Sequence, residues 1–124
     1  MHEVVRRAIV QRGDVRIEVL EEGEGPTIVL LPSLGRSASD FDPIAARLAH
    51  AGYCVLRPQP RGIGRSSGPL TGIDLHDCAA DVAAVIVHEG NSPAFVVGHA
   101  FGNRVARMLA TDRPDLVRAI ALVD

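Results

Sequence analysis

Phe95-Val96-Val97 is an apolar run that passes through Gly98-His99-Ala100-Phe101-Gly102 straight into residues patterned as a helix. A buried strand that becomes a helix so abruptly must reverse sharply at its end. Glycines two places either side of residue 100 let it do so without side-chain collisions. The central residue is then held in a strained conformation at the top of a sheet, where a helix begins. When such a turn works chemically, that residue is Ser, Cys or Asp, placed where the helix N-terminus stabilises developing negative charge. Here it is Ala100, whose methyl group cannot attack anything.

The remainder of the chain supplies the sheet that this turn requires. Residues 8–11 and 15–20, joined at Gly13-Asp14, read as a hairpin whose second strand alternates in and out. Residues 27–31, Thr-Ile-Val-Leu-Leu, are continuously apolar, the pattern of a strand covered on both faces. Asp42 before Pro43 marks a helix start, an N-cap with proline at the first helical position, and Gly52 ends that helix. Residues 53–56 form the next strand and 58–69 a long loop. Leu75, Cys78, Ala79, Val82, Val85 and Ile86 then recur at helical spacing up to Gly90. Strand 94–97, helix 100–112 and strand 119–123 follow.

Hydrophobic residues are 47% of the 124 and aromatics only 3%, so the core rests on Val, Ile, Leu and Ala, as in parallel strands under helices. The alternation predicts one α/β domain, a doubly wound, mostly parallel sheet flanked by helices, with right-handed crossovers. Such sheets hold ligands at the carboxyl ends of their strands, which selects the loops after Leu31, Leu56 and Val97.

The loop after Leu31, Pro32-Ser33-Leu34-Gly35, is suited to aiming the backbone N–H of Leu34 at a ligand oxygen. The N–H of Phe101 would supply a second donor, completing an oxyanion hole. The loop after Leu56 reads Gln59-Pro60-Arg61-Gly62-Ile63-Gly64-Arg65-Ser66. With these three loops the chain resembles the α/β-hydrolase family, whose members commonly carry an acidic residue and then Arg-Gly-x-Gly-x-Ser at this last position. Gln59 replaces the acid and removes one expected ion-pair partner of Arg61. Pro32-Ser33 stands where many members have His-Gly.

The resemblance covers essentially the whole chain. It implies that residues 1–124 are the N-terminal part of a single α/β-hydrolase-like domain, incomplete at the C-terminus. It further implies acyl transfer through a Ser-acid-His triad, with ester-type or related carbonyl compounds as substrates. With Ala100 in the nucleophile position and the family's histidine falling later in chain order, this chain is expected to be inactive by itself. Two alternatives use the same scaffold. One is non-catalytic binding of a small apolar carbonyl compound; the other is lyase-like or cofactor-free oxygenase-like chemistry at the donors without a covalent step.

Other function classes find little support. A net charge of −2 with no basic stripe argues against nucleic-acid binding. Gly62-x-Gly64-x-x-Ser67 opens no helix, there is no Gly-Lys-Ser/Thr phosphate loop, and the histidines lack zinc spacing, so neither cofactor nor metal is expected. Cys54 and Cys78 read as buried thiols in a reducing compartment. The first residues lack a signal peptide's apolar stretch and no run reaches membrane-spanning length, so a cytoplasmic location is expected, without membrane partners.

Among the other polar residues, His99 reads as structural, His76 and His88 as solvated, His50 as a helix-end cation and His2 as part of the terminus. Asp124 lies where some family members carry the triad acid, but it reads as an ordinary strand-end residue. Ser33 is the only hydroxyl placed near the site, and no base accompanies it. The last strand is expected to present a bare apolar edge, open to self-association.

Overall fold

Every residue of the apolar run 27–31 is buried in the structure, a computed structural model that describes residues 4–91 and 93–124. In chain order the strands and helices are β1 (Arg6–Arg12), β2 (Val15–Glu22), β3 (Thr27–Leu31), α1 (Asp42–His50), β4 (Cys54–Pro58), α2 (Leu75–Glu89), β5 (Ala94–His99), α3 (Phe101–Asp112) and β6 (Val117–Val123). The six strands make one sheet in the order β1-β2-β4-β3-β5-β6. β4, β3, β5 and β6 run parallel, while the β1–β2 hairpin joins antiparallel to β4.

The side chains of β3 divide between two cores, as a strand with period two requires. Ile28 and Leu30 pack with Val55 against Ala45 and Ala49 of α1. Val29 and Leu31 pack with Leu56 and Val96 against α2 and α3. Helices thus cover both faces. At one edge β6 exposes Ile120, Leu122 and Val123.

Two expectations need correction. β2 does not alternate in and out: all but Arg16 of its eight residues are buried, including Glu18, Glu21 and Glu22. The strand lies inside the sheet between β1 and β4, so its carboxylates need internal partners, because an unpaired buried charge costs several kcal/mol (about 3–5 when one partner is removed). Glu22 pairs with the buried Arg57 at 2.7 Å, and Glu18 accepts the Arg65 N–H at 3.2 Å.

The second correction concerns Asp42, which is the first residue of α1 and makes no side-chain cap. A 3-10 turn over Ala38–Phe41, capped by Ser37, precedes it. The Asp42 carboxylate instead meets Arg57, whose guanidinium is buried and gathers two acids. The start of α2 follows a plainer rule. Asp74 caps the Asp77 N–H at 3.1 Å and Asp77 returns the bond to Asp74 N–H at 2.9 Å.

Candidate functional site

Ala100 lies between the end of β5 and the first residue of α3, with φ 52° and ψ −113°. Among the described residues it is the one non-glycine with positive φ. Its neighbours explain how the chain turns there. A Cβ on Gly98 would overlap the Gly102 carbonyl and come within 2.7 Å of the Asn103 nitrogen. A Cβ on Gly102 would collide with the Leu31 carbonyl and reach 2.9 Å from that of Pro32. β5, α3 and the end of β3 can meet this closely only because both positions lack side chains. Hydrogen bonds hold the turn: Ala100 N–H donates to the Val123 carbonyl at 2.9 Å, and the Ala100 carbonyl accepts from Asn103 N–H at 2.9 Å.

A cavity of about 460 Å³ opens where the loops after β3 and β4 meet the starts of α2 and α3. Leu34 and Phe101 both line it, and so does Ser33. Leu34 is 71% exposed, at the rim, whereas Phe101 is half-buried. Neither backbone N–H has a hydrogen-bond partner among the described residues. That of Phe101 belongs to the first turn of α3, where the helix provides no acceptor. Ala100 is exposed and does not form part of the cavity wall.

The wall is mainly aliphatic, with one buried ionic element. Arg61 Nε and Nη2 donate to the two oxygens of Asp81 at 2.8 and 3.1 Å, and Nη1 donates to the Pro69 carbonyl at 3.0 Å. The bond to Asp81 raises the Arg61 pKa further above its ordinary value, so its charge is fixed. Arg12 of β1 also reaches Asp81, at 2.9 Å. Arg61 therefore keeps a bidentate carboxylate partner even though Gln59 replaces the expected acid. Gln59 itself accepts the Ala38 N–H at 2.8 Å and secures the 3-10 turn. Asp81 was missing from the sequence expectations. Its signal was an acidic residue set directly beside Val82 on the apolar stripe of α2.

No described histidine lines the cavity. His99 is half-buried at the end of β5, His88 is exposed on α2, and His50 is exposed in the last turn of α1. His76 is exposed but not unpartnered, since its Nδ1 lies 2.7 Å from Asp112 Oδ2. His2 lies outside the described residues. Asp124 is exposed just beyond β6. Cys78 borders the cavity and Cys54 lies elsewhere; both are free and half-buried rather than fully buried, and desolvation raises both thiol pKa values. Among the described residues no three His, Cys, Asp or Glu side chains are grouped to hold a metal, and no helix is long and apolar enough to cross a membrane.

Residues 26–124 match the family described as alpha/beta hydrolase fold. The chain is 32% identical to a 2-(acetamidomethylene)succinate hydrolase of Mesorhizobium japonicum, over 99% of this chain and 43% of that one. It is 33% identical to a soluble epoxide hydrolase of a Corynebacterium species, over 88% of this chain and 38% of that one. The crystal structure of epoxide hydrolase A from Mycobacterium thermoresistibile superposes with a TM-score of 0.87 at 30% identity, covering 96% of this chain and 39% of that chain. The chain thus spans roughly two fifths of the length of these relatives, which are hydrolases of small molecules. The chain therefore belongs to the α/β hydrolase fold family.

Proposed function

We propose that this chain carries the carbonyl-binding half of a hydrolase site and that, with Ala100 at the elbow, it binds small apolar carbonyl or ester-type compounds without hydrolysing them covalently. The observation that carries the reading is the conformation of Ala100, φ 52° at a strand-to-helix turn, on a residue whose side chain has no reactive atom. A non-glycine residue held in so sparsely populated a region costs about 1–3 kcal/mol, so the surrounding structure must enforce it. In this reading the N–H groups of Leu34 and Phe101 face the ligand oxygen. The aliphatic wall takes the apolar remainder, and the α3 N-terminus adds a favourable field for partial negative charge. The two free thiols suit a reducing, cytoplasmic setting.

Two measurements test the proposal. Removing the serine from a Ser-His-acid site elsewhere costs about a millionfold in turnover, with roughly a thousandfold over water surviving. Hydrolysis of activated aryl esters is therefore expected to stay at or below that residual. Turnover at an ordinary enzyme rate, on the order of 10 s⁻¹, would overturn the inactive reading. Small apolar ketones and esters are expected to raise the melting temperature and to shift the amide resonances of Leu34 and Phe101. A panel that leaves both unmoved would overturn the binding reading.

A further inference from the structure

Arg57 lies in β4 and Gln59 follows its last residue, two positions on. Both side chains reach the segment that leaves β3, where they grip one buried residue, Ala38, by its two backbone groups. Gln59 Oε1 accepts the Ala38 N–H at 2.8 Å, and Arg57 Nη1 donates to the Ala38 carbonyl at 3.1 Å. The other end of the Gln59 amide, Nε2, donates to Ser37 Oγ at 3.3 Å, and that oxygen caps the 3-10 turn by accepting the Ser39 N–H at 3.1 Å. Among the described residues, every other hydrogen bond of residues 33–40 closes within the segment or runs on into α1.

Leu34 belongs to this segment. It is the first central residue of a turn closed by Arg36 N–H on the Ser33 carbonyl at 3.1 Å, with Gly35 at φ 71° beside it. Its side chain is exposed, so packing does little to locate its N–H. Gln59, by contrast, is 5% exposed and fixed at its own backbone. Its N–H donates to the Glu18 carbonyl at 2.8 Å, and its carbonyl accepts from Ser66 Oγ at 2.8 Å. An amide suits the place, because it offers an acceptor to Ala38 and a donor to Ser37 at once, which a carboxylate cannot do. It also adds no charge beside Glu18: a Cβ on Gly64 would come 2.6 Å from Glu18 Oε1 and 3.2 Å from Gln59 Nε2.

We propose that Gln59 is the positioning residue of the carbonyl-binding site, carrying the fixed end of β4 across to the turn after β3 and so holding the Leu34 N–H in place. As a statement about binding it rests on the proposed role of Leu34 as a donor; as a statement about the loop it stands without a ligand. A donor works by being held ready for the oxygen it meets, so a turn released from Ser37 and Ala38 loses that readiness.

Nitrogen-15 relaxation without ligand gives the first test. The Leu34 amide is expected to show an order parameter of about 0.85 in the unaltered protein and below about 0.6 in Gln59→Leu, with Phe101 the same in both. A Leu34 value that Gln59→Leu leaves unmoved would overturn the proposal. So would a value below about 0.6 in the unaltered protein, a measurement that needs no variant to fold. Titration with methyl butyl ketone gives the second. Its dissociation constant is expected to rise about tenfold in Gln59→Leu, with the Leu34 amide no longer responding and Phe101 still doing so. Equal affinity and an equal Leu34 response in both proteins would overturn the positioning role. A ketone that moves neither amide of the unaltered protein would instead sink the donor role of Leu34, and the relaxation comparison alone would decide whether Gln59 holds the turn.

Discussion

The side-chain amide of Asn103 pairs with both backbone groups of Val123, Nδ2 donating to the carbonyl at 2.9 Å and Oδ1 accepting from the N–H at 3.1 Å. Asn103 thus extends the β5–β6 ladder past the point where β5 turns into α3. The Val123 carbonyl also accepts the Ala100 N–H, so the first turn of α3, the elbow and the tip of β6 form one hydrogen-bonded unit. Asn103→Ala removes both side-chain bonds and leaves the Val123 N–H to solvent. The expected cost is about 1 kcal/mol in urea unfolding, because these bonds are partly exposed. Amide exchange should quicken at Ala100 and Val123 while Val96 and Leu109 stay protected. Unchanged exchange at Ala100 would mean that Asn103 does not hold the elbow.

Ala100 and Gly98 should respond to substitution with opposite signs. Ala100→Gly relieves a conformation that costs alanine about 1–3 kcal/mol, offset by roughly 0.5–1 kcal/mol of extra freedom in the unfolded chain. A net gain of roughly 1 kcal/mol is expected in chemical denaturation. Gly98→Ala drives a methyl group into the Gly102 carbonyl and the Asn103 nitrogen, both backbone atoms that cannot swing away. A loss of about 3 kcal/mol is expected, at the upper end of overpacking costs. Two neutral outcomes would show that the turn relaxes freely.

How much of this was legible in the sequence depends on range. The parallel strands and their helices were readable because apolar periodicity is local: residues 27–31 are uniformly apolar, and Val82, Val85 and Ile86 recur at helical spacing. The glycines around Ala100 likewise announce a close approach. Pairings across long separations left no such trace. Glu22 and Arg57 are 35 positions apart, and Arg61 and Asp81 are 20 apart. Nothing local says that a glutamate on β2 points inward. The β2 pattern looked amphipathic because a buried ion pair and an exposed charge are written with the same letters. Asp42 misled for a related reason, since it resembles a cap until Arg57 is seen beneath it.

Asp81 provides a direct measure of what the buried ionic element contributes. Its carboxylate receives Arg61 at 2.8 Å and Arg12 at 2.9 Å, with the Asp81 and Arg61 side chains both under one-tenth exposed. Asp81→Asn leaves the Arg61 guanidinium buried without a counter-charge. Breaking such a pair from one side costs about 3–5 kcal/mol. A loss near the lower figure is expected, because Arg12 is 40% exposed and can turn to solvent. The loop carrying Arg61 should also loosen, since the same guanidinium holds the Pro69 carbonyl. Limited proteolysis between residues 60 and 70 should therefore accelerate in the variant. Wild-type stability together with wild-type proteolysis would show that the pair is dispensable.

His76 and Asp112 tie the start of α2 to the end of α3, and their pairing gives stability a pH signature. The hydrogen bond to Asp112, and then the charge of that carboxylate, raise the His76 pKa above its ordinary value of 6.5. A raised folded-state value places the stabilising contribution below pH 6.5, and it disappears as pH climbs through the raised value. His76→Gln should therefore melt below the unaltered protein in mild acid, and the gap should close as pH rises past the raised value. The pair is exposed, which makes the gap small and sensitive to screening. Roughly 1 M salt should erase most of it at low pH. A gap that persists unchanged to high pH would show that the contact acts through packing, with no charge on the imidazole.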